Sequence, residues 1–458
     1  MTEIKTTCCI AGGGPAGMML GFLLAREGVP VIVLEKHEDF LRDFRGDTVH
    51  PSTLEMMHEL GLLDEFLKLP HSTVRELSLQ IGDDHLVVGH FEHLPVHCKF
   101  VALMPQWDFL EFIADHARHH PGFDLRMRTE ATDLLLDEGR VTGVRATTPD
   151  GPIEIRADLT VACDGRHSRL RERAGFPVED LRAPMDVMWF RISRNDNDPS
   201  DVVARVESGR MLVMLNRTDY WQCAYVIPKG TADEVKHAGL DKFRNSVGDI
   251  SSLLRDRLLE IDSWDKVKLL TVEVDRLRRW YRTGLICIGD AAHAMSPIGG
   301  VGINLAVQDA VAAANILAQP LRRGTVTVDT LKSVQQRREF PTRVTQRLQI
   351  IMQNNLIGPA LANKDKRPRA PWFMKLMQWP LLQRIPGRLL AFGVRPESRR
   401  QRNLRCWRAL RTLRPSLPDR AEGGQARLHI DPKRQQDYES DDCPDYPYPR
   451  QNPSQQAP

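Results

Sequence analysis

The sequence predicts an α/β protein: a doubly wound nucleotide-binding domain, interrupted by an antiparallel β-sheet and followed by a helical C-terminal region. Three observations carry this reading. An apolar strand runs into Gly12-Gly13-Gly14-Pro15-Ala16-Gly17 and then into a helix. Two further apolar strands end in Asp164-Gly165 and in Gly289-Asp290, each ahead of another helical run. From about residue 183 to 274 short runs of β-like character, broken by Gly, Asn, Asp and Pro, replace the strand–helix rhythm.

Residues 7–11 are too short and too rich in β-formers for a helix and read as a buried parallel strand. Met18 to Ala25 form a strongly apolar helix that ends at Gly28, and residues 31–34 are the next strand, closing on Glu35. In this spacing Gly12 permits the tight turn, Gly14 lets backbone approach a pyrophosphate, and Gly17 allows close helix–strand packing. The pyrophosphate sits where the helix N-terminus presents amides and a positive dipole end, and Glu35 accepts from ribose hydroxyls. This unit specifies a dinucleotide but not which one; an NAD-dependent dehydrogenase would satisfy it equally.

Arg45 falls in a loop ahead of a predicted helix over 52–60, where a solvated loop and a ligand contact weigh equally on the residues alone. Gln106 opens a predicted helix over 107–117, whose apolar positions Phe109, Leu110, Ile113, Ala114 and Ala117 recur at helical spacing. Strands are predicted over 124–127, 131–136, 141–146 and 159–163; the last delivers Asp164, with Ser168 as a helix cap. In the inserted region strands are predicted over 186–194, 202–207, 211–216 and 220–227, joined by 77–81 and 86–91. Alternation puts Trp189 and Arg191 on one face and Met188, Phe190 and Ile192 on the other. A final strand over 285–288 reaches Gly289-Asp290, and a helix over 303–317 follows the loop from Pro297 to Gly302.

The three motifs in this order, Gly12–17, Asp164-Gly165-x-x-Ser168-x-x-Arg171, and Gly289-Asp290 with Pro297 to Asn304, resemble the single-component, class A flavoprotein monooxygenases of the aromatic-hydroxylase type. The resemblance covers about residues 1 to 410. It implies FAD in a Rossmann-like domain of the glutathione-reductase type, with substrate held between the inserted sheet and the flavin. It further implies cofactor roles for Gly12, Gly14, Pro15, Ala16, Gly17, Glu35, Lys36, Arg45, Gln106, Asp164, Gly165, Gly289, Asp290, Pro297, Gly300, Gly302, Ile303 and Asn304. Arg45 would lie along the ribityl chain, Asp290 would hold ribityl hydroxyls, and Pro297 would face the reactive edge of the ring. The helix beginning near Ile303 would aim its amides at the pyrimidine edge and stabilise the reduced ring's negative charge. Glycines at 299, 300 and 302 would let the ring lie on bare backbone. Trp189, Arg217, Tyr220 and Tyr225 are candidate pocket residues, with packing in the sheet the favoured fate of each. Cys223 and Tyr225 stand where flavin halogenases carry two tryptophans, which argues against halogenation.

The chemistry implied is oxidation of NADH or NADPH, reaction of the reduced flavin with O2, and transfer of one oxygen atom from a flavin hydroperoxide to an aromatic or other electron-rich small molecule. Alternatives are an FAD-dependent reductase or dehydrogenase of a hydrophobic, prenyl-like substrate, and a non-catalytic FAD-binding module. No triad, nucleophile or metal cluster is evident, and His50, His90, His93 and His97 read as surface histidines.

At 458 residues the chain is long enough for two or three domains. The expected partition is an FAD-binding domain over 1–75, 100–182 and 275–330, a substrate-binding sheet over 76–99 and 183–274, a helical region over 331–415 and a disordered tail over 416–458. A net charge of +3 gives no general attraction to nucleic acid. Eight scattered cysteines without a C-x-x-C pair, and no signal-peptide pattern, fit a reducing cytoplasm. No uninterrupted apolar run reaches the ~18 residues a membrane span needs. Between Trp372 and Phe392 apolar pieces are followed by a basic stretch from Arg388 to Arg411. Packing of this stretch against the core is favoured over weak contact with a membrane surface. A monomer or a dimer is expected.

Overall fold

A computed structural model describes residues 2–41, 48–199, 203–207 and 209–362, with shorter stretches between 369 and 398. Its central sheet has eight strands. Thr2–Ala11 lies at the middle, parallel to Gly151–Ala162 on one side and to Val31–Leu34 on the other. Phe123–Arg126 extends the sheet beyond Val31–Leu34, and Leu285–Cys287 extends it beyond Gly151–Ala162. Glu130–Asp137 and Arg140–Thr148 form an antiparallel flap on Gly151–Ala162. The apolar helices Pro15–Arg26, Gln106–Arg118 and Gly302–Arg322 bury Leu20, Leu23, Phe109, Ile113, Val307 and Val311 against one face. Parallel strands covered by helices demand such continuous apolar runs.

The second sheet has seven strands in the order Lys268–Leu270, Met185–Ser193, Tyr220–Pro228, Arg210–Asn216, Val203–Glu207, Glu76–Ile81 and Asp84–His90. All neighbours are antiparallel except Val203–Glu207 with Glu76–Ile81. The purely antiparallel sheet expected from the runs is thus corrected at one seam. The hairpin 76–90 arrives from a distant part of the chain, so no short turn dictates its direction. Met188, Phe190 and Ile192 pack under the helix Leu240–Ile250, while Trp189 faces the opposite way, as the alternation predicts.

Val328–Met352 continues into a turn of π-helix at Gln353–Ile357. The helix Arg384–Phe392 then packs against the hairpin 76–90, with Leu390, Ala391 and Phe392 joining Leu77 and Phe91. The residues between 298 and 322 are apolar and long enough to cross a membrane, yet 83% of the most apolar 18-residue segment is buried inside the protein. The expected tail over 416–458 and the arginines from Arg399 to Arg411 lie outside the described residues.

Candidate cofactor site

The three sequence motifs meet because their strands are neighbours. Thr2–Ala11, Gly151–Ala162 and Leu285–Cys287 lie side by side and end at the same edge of the sheet. The Cys163 amide donates to Ala11 O at 2.7 Å, and the Ile288 amide to Ala162 O at 3.1 Å. Gly12, at φ +109°, has Cys163 O only 2.2 Å from where a Cβ would stand. Gly17 is tighter still, with Gly12 O at 1.9 Å. Gly289 lets the third motif close on the first, for its Cβ would lie 3.0 Å from that of Ala16.

Gly14, Gly165 and Gly302 are different: a Cβ on any of them would meet no atom within 4 Å. These three face open space at the rim of the converging motifs, so the residues present fit a group that needs bare backbone there. Two helices begin beside that space. Pro15–Arg26 has Gly14 as its N-cap, with no side-chain cap and no acid in its first turn. Gly302–Arg322 likewise has neither, and its first intrahelical bond runs from the Leu305 amide to Val301 O. The amides of 302–304 precede that bond, and both helix ends leave positive dipole uncompensated, which an anionic ligand would complement.

Glu35 stands at the end of Val31–Leu34, half-buried, taking the Gly13 amide on Oε2 at 3.0 Å and the His37 amide on Oε1 at 3.1 Å. This fixes its carboxylate below the glycine turn. Lys36 is exposed beside it, and Gln106 is half-buried at the first position of Gln106–Arg118, after the N-cap Pro105. Asp164 accepts from Ser168 Oγ at 2.5 Å and from the Leu170 amide at 3.2 Å, and burial pushes its carboxyl above the usual range. The arginine that closes the second motif is structural. Arg171 pairs with Asp275 at 2.9 Å, both about nine-tenths buried, and Asp275 in turn accepts from the Ala294 amide at 3.1 Å. Arg166 reaches Asp290 at 3.9 Å, tying the second motif to the third.

The expectation that Gly299 and Gly300 keep backbone bare for a ring is revised. A Cβ on Gly300 would strike Thr48 Oγ1 at 2.2 Å, and one on Gly299 would lie 3.0 Å from Leu390. Thr48 Oγ1 donates to Gly300 O at 2.6 Å, so these glycines admit protein side chains, and among the three only Gly302 opens outward. The Asn304 side chain is also occupied: it accepts from the His50 amide at 3.0 Å and Thr53 Oγ1 at 2.6 Å. Ile303 is buried and Pro297 half-buried at the head of this loop.

On the inserted sheet, Trp189, Val213 and Met211 share a cluster with Ile298 of the loop. Tyr225 is on the other face, its hydroxyl 2.7 Å from Ser246 Oγ and its ring edge-on to Phe243, so the pocket role is corrected to packing under Leu240–Ile250. Arg217 is buried and donates Nε–H to Gln222 at 3.0 Å, and Tyr220 lies beneath the Arg191 guanidinium at 5.0 Å. Arg45 lies outside the described residues.

The sequence reading missed the support behind the third motif. Asp309 accepts from the Gly289 amide at 3.0 Å, from His293 Nε2 at 2.6 Å and from Arg338 Nε at 2.8 Å. Burial acts to raise the Asp309 carboxyl, but His293 and Arg338 together hold it below the usual carboxylate range. Gln346, Gln349 and Gln353, all buried, grip Ala294, Ser296 and Ile298 through backbone and hydroxyl contacts of 2.8–3.3 Å. Their spacing along one helix stripe was a visible signal of a buried polar ladder. His50, read as a surface histidine, is 1% exposed and donates Nδ1–H to Leu390 O at 2.7 Å. Among the described residues no cluster of His, Cys, Asp or Glu could hold a metal ion.

Converging strand ends with two uncapped helix N-termini and an acid below them define a dinucleotide-binding protein. The chain belongs to the FAD binding domain family, whose model matches residues 5–348, and FAD is its cofactor. Within that family it stands with the FAD-dependent monooxygenases of aromatic-hydroxylase type. It is 29% identical over 370 residues to the 6-methylpretetramide 4-monooxygenase of Streptomyces rimosus, covering 80% of this chain and 88% of that protein. It is 24% identical over 346 residues to the para-nitrophenol 4-monooxygenase of a Pseudomonas strain, covering 72% and 82%. The solved structure of OxyS anhydrotetracycline hydroxylase from Streptomyces rimosus matches the fold with a TM-score of 0.67 at 21% identity, over 85% of this chain and 76% of that one.

Proposed function

We propose that this FAD-dependent monooxygenase hydroxylates a phenolic or polycyclic aromatic substrate bound between the Trp189 face of the seven-stranded sheet and the loop 297–301. The observation that carries it is the shared cluster of Trp189, Met211 and Val213 with Ile298, which sets an apolar sheet face beside the third motif. Bound FAD supplies the redox chemistry, taking reducing equivalents from NAD(P)H and activating O2. The chain's own residues bind and orient. Amides at the start of Pro15–Arg26 hold the pyrophosphate beside Gly14, Pro15, Ala16 and Gly17, Glu35 receives ribose hydroxyls, and Asp290 receives the ribityl chain. Amides of Gly302, Ile303 and Asn304 at the uncapped start of their helix would face the flavin and favour negative charge on it. Gln106, Asp164, Gly165, Gly289 and Pro297 complete the cradle, and the apolar sheet face excludes water from the reacting edge.

The same reading divides the chain into an FAD-binding part around the eight-stranded sheet, a substrate part around the seven-stranded sheet, and a helical region after residue 330. The protein works as a monomer or dimer in a reducing compartment, in keeping with its buried free thiols. Exposed Trp379 and Ile385 beside Arg384 and Arg388 give the C-terminal region at most a weak hold on a membrane surface. The test is substrate-stimulated NAD(P)H oxidation across a panel of phenols and polycyclic aromatics, with O2 uptake recorded. Stimulation with matched O2 uptake supports the reading. Turnover that proceeds undiminished without O2 overturns it.

A further inference from the structure

Leu390 occupies a position that neither the motifs nor the cofactor cradle accounts for. One of its methyl groups lies 3.0 Å from where a Cβ on Gly299 would stand, on the loop of the third motif. The other lies 3.5 Å from the corresponding point on Gly89, in the hairpin of the seven-stranded sheet. A single isobutyl group therefore lies between the cofactor loop and the substrate sheet, within the apolar cluster it shares with Leu77 and Phe91. Gly299 and Gly89 bring no side chain of their own; the next nearest groups to the same two points are Val301 at 3.7 Å and Phe91 at 3.5 Å.

The backbone that carries Leu390 is held from several directions. Its carbonyl accepts from His50 Nδ1 at 2.7 Å, and the His50 amide is itself bound to Asn304. A carbonyl can only accept, so the buried imidazole carries its proton on Nδ1. Gln308 Nε2 donates to Phe392 O at 3.3 Å, from the helix that follows the cofactor loop. A Cβ on Gly387 would meet His90 O at 2.5 Å, so the helix Arg384–Phe392 lies directly on the end of the hairpin. Beyond it, Arg395 O accepts from Arg338 and Ser398 Oγ donates to Glu59 at 2.7 Å. A wall held this firmly has a size set by its side chain rather than by motion.

Building on the site proposed above, we infer that Leu390 is a specificity-determining residue: it closes the junction between the loop 297–301 and the seven-stranded sheet, and its bulk limits the ring system admitted there. Leu390→Ala removes three carbons from this junction and opens it, and Leu390→Phe adds a ring and closes it further. Leu390→Met keeps nearly the same volume and controls for folding.

The experiment compares the full-length, FAD-loaded protein with Leu390→Ala, Leu390→Phe and Leu390→Met. Quenching of bound FAD fluorescence by iodide measures access to the cofactor without turnover. Quenching of tryptophan fluorescence in the same FAD-loaded protein gives dissociation constants for 1-naphthol and the larger 1-hydroxypyrene. The expected order of iodide quenching is Ala above wild type and Met, with Phe lowest. In the Ala variant affinity for 1-hydroxypyrene rises several-fold relative to 1-naphthol, and in the Phe variant it falls. Iodide quenching and affinity ratio unmoved in both Ala and Phe overturn the inference. If neither phenol binds wild-type protein, the aromatic substrate reading fails, and the order of iodide quenching alone decides whether Leu390 is the wall.

Discussion

Gly14 and Gly17 lie three residues apart and serve opposite ends. The space at Gly17 is filled by Gly12 O, so Gly17→Ala must push the helix off its strand. It should cost on the order of 3 kcal/mol, read as a lowered Tm with or without FAD. Gly14 has extended backbone that alanine adopts freely, with φ −76° and ψ −175°, and open space ahead of it. Gly14→Ala should leave the stability of the FAD-free protein within about 0.5 kcal/mol of wild type while weakening FAD binding by about tenfold. An equal loss of stability in both variants would contradict this division. Asp290→Ala should likewise release FAD; unchanged flavin occupancy would count against its place on the ribityl chain. His50 gives a pH signature. Burial lowers its pKa from 6.5 to about 4, so the unfolded chain takes up the proton first as pH falls. Stability is fully present above pH ~6.5 and declines toward pH ~4, by up to about 3 kcal/mol. His50→Gln should flatten that limb of a denaturant-midpoint profile, and an unchanged slope would exclude His50 as its source.

At the scale of elements, the strands and turns were largely legible. The run 7–11 is the second half of the strand Thr2–Ala11, and the alternation around Trp189 gave the correct faces of Met185–Ser193. What stayed hidden were partners supplied from far along the chain. Asp309 sits in an apolar helix, and nothing local announces that Gly289, His293 and Arg338 converge on it. His50 looked like a loop histidine because the helix that buries it begins more than 300 residues later. The same distance concealed that Gly299 and Gly300 make room for Leu390 and Thr48. Breaking the Asp309 cluster leaves the fully buried Arg338 guanidinium short of its carboxylate partner. Asp309→Asn should therefore cost about 3–5 kcal/mol, measured by denaturant unfolding. A loss below ~1 kcal/mol would show that Glu397, 3.3 Å from Arg338, already neutralises it.

For the whole molecule, two sheets with different tasks are joined by segments that cross between them. The eight-stranded sheet brings three motifs to one edge, and the seven-stranded sheet sets an apolar face against the loop that follows the third. A cofactor that binds only the folded chain must add to its stability, by about 2.7 kcal/mol at a hundredfold excess over Kd. That division was readable at the level of cofactor because the FAD motifs are backbone signatures. The substrate was not readable, since the walls proposed for it are single side chains, Trp189 and Leu390, on elements with no shared pattern. The central claim is oxygen insertion at a reduced flavin, and the most direct measurement is mass spectrometry of the product formed under isotopically labelled O2 with NAD(P)H consumption recorded. The account predicts one labelled oxygen atom in each product molecule and one NAD(P)H oxidised for each. Product formed at full rate without O2, or carrying its new oxygen from water, would contradict it.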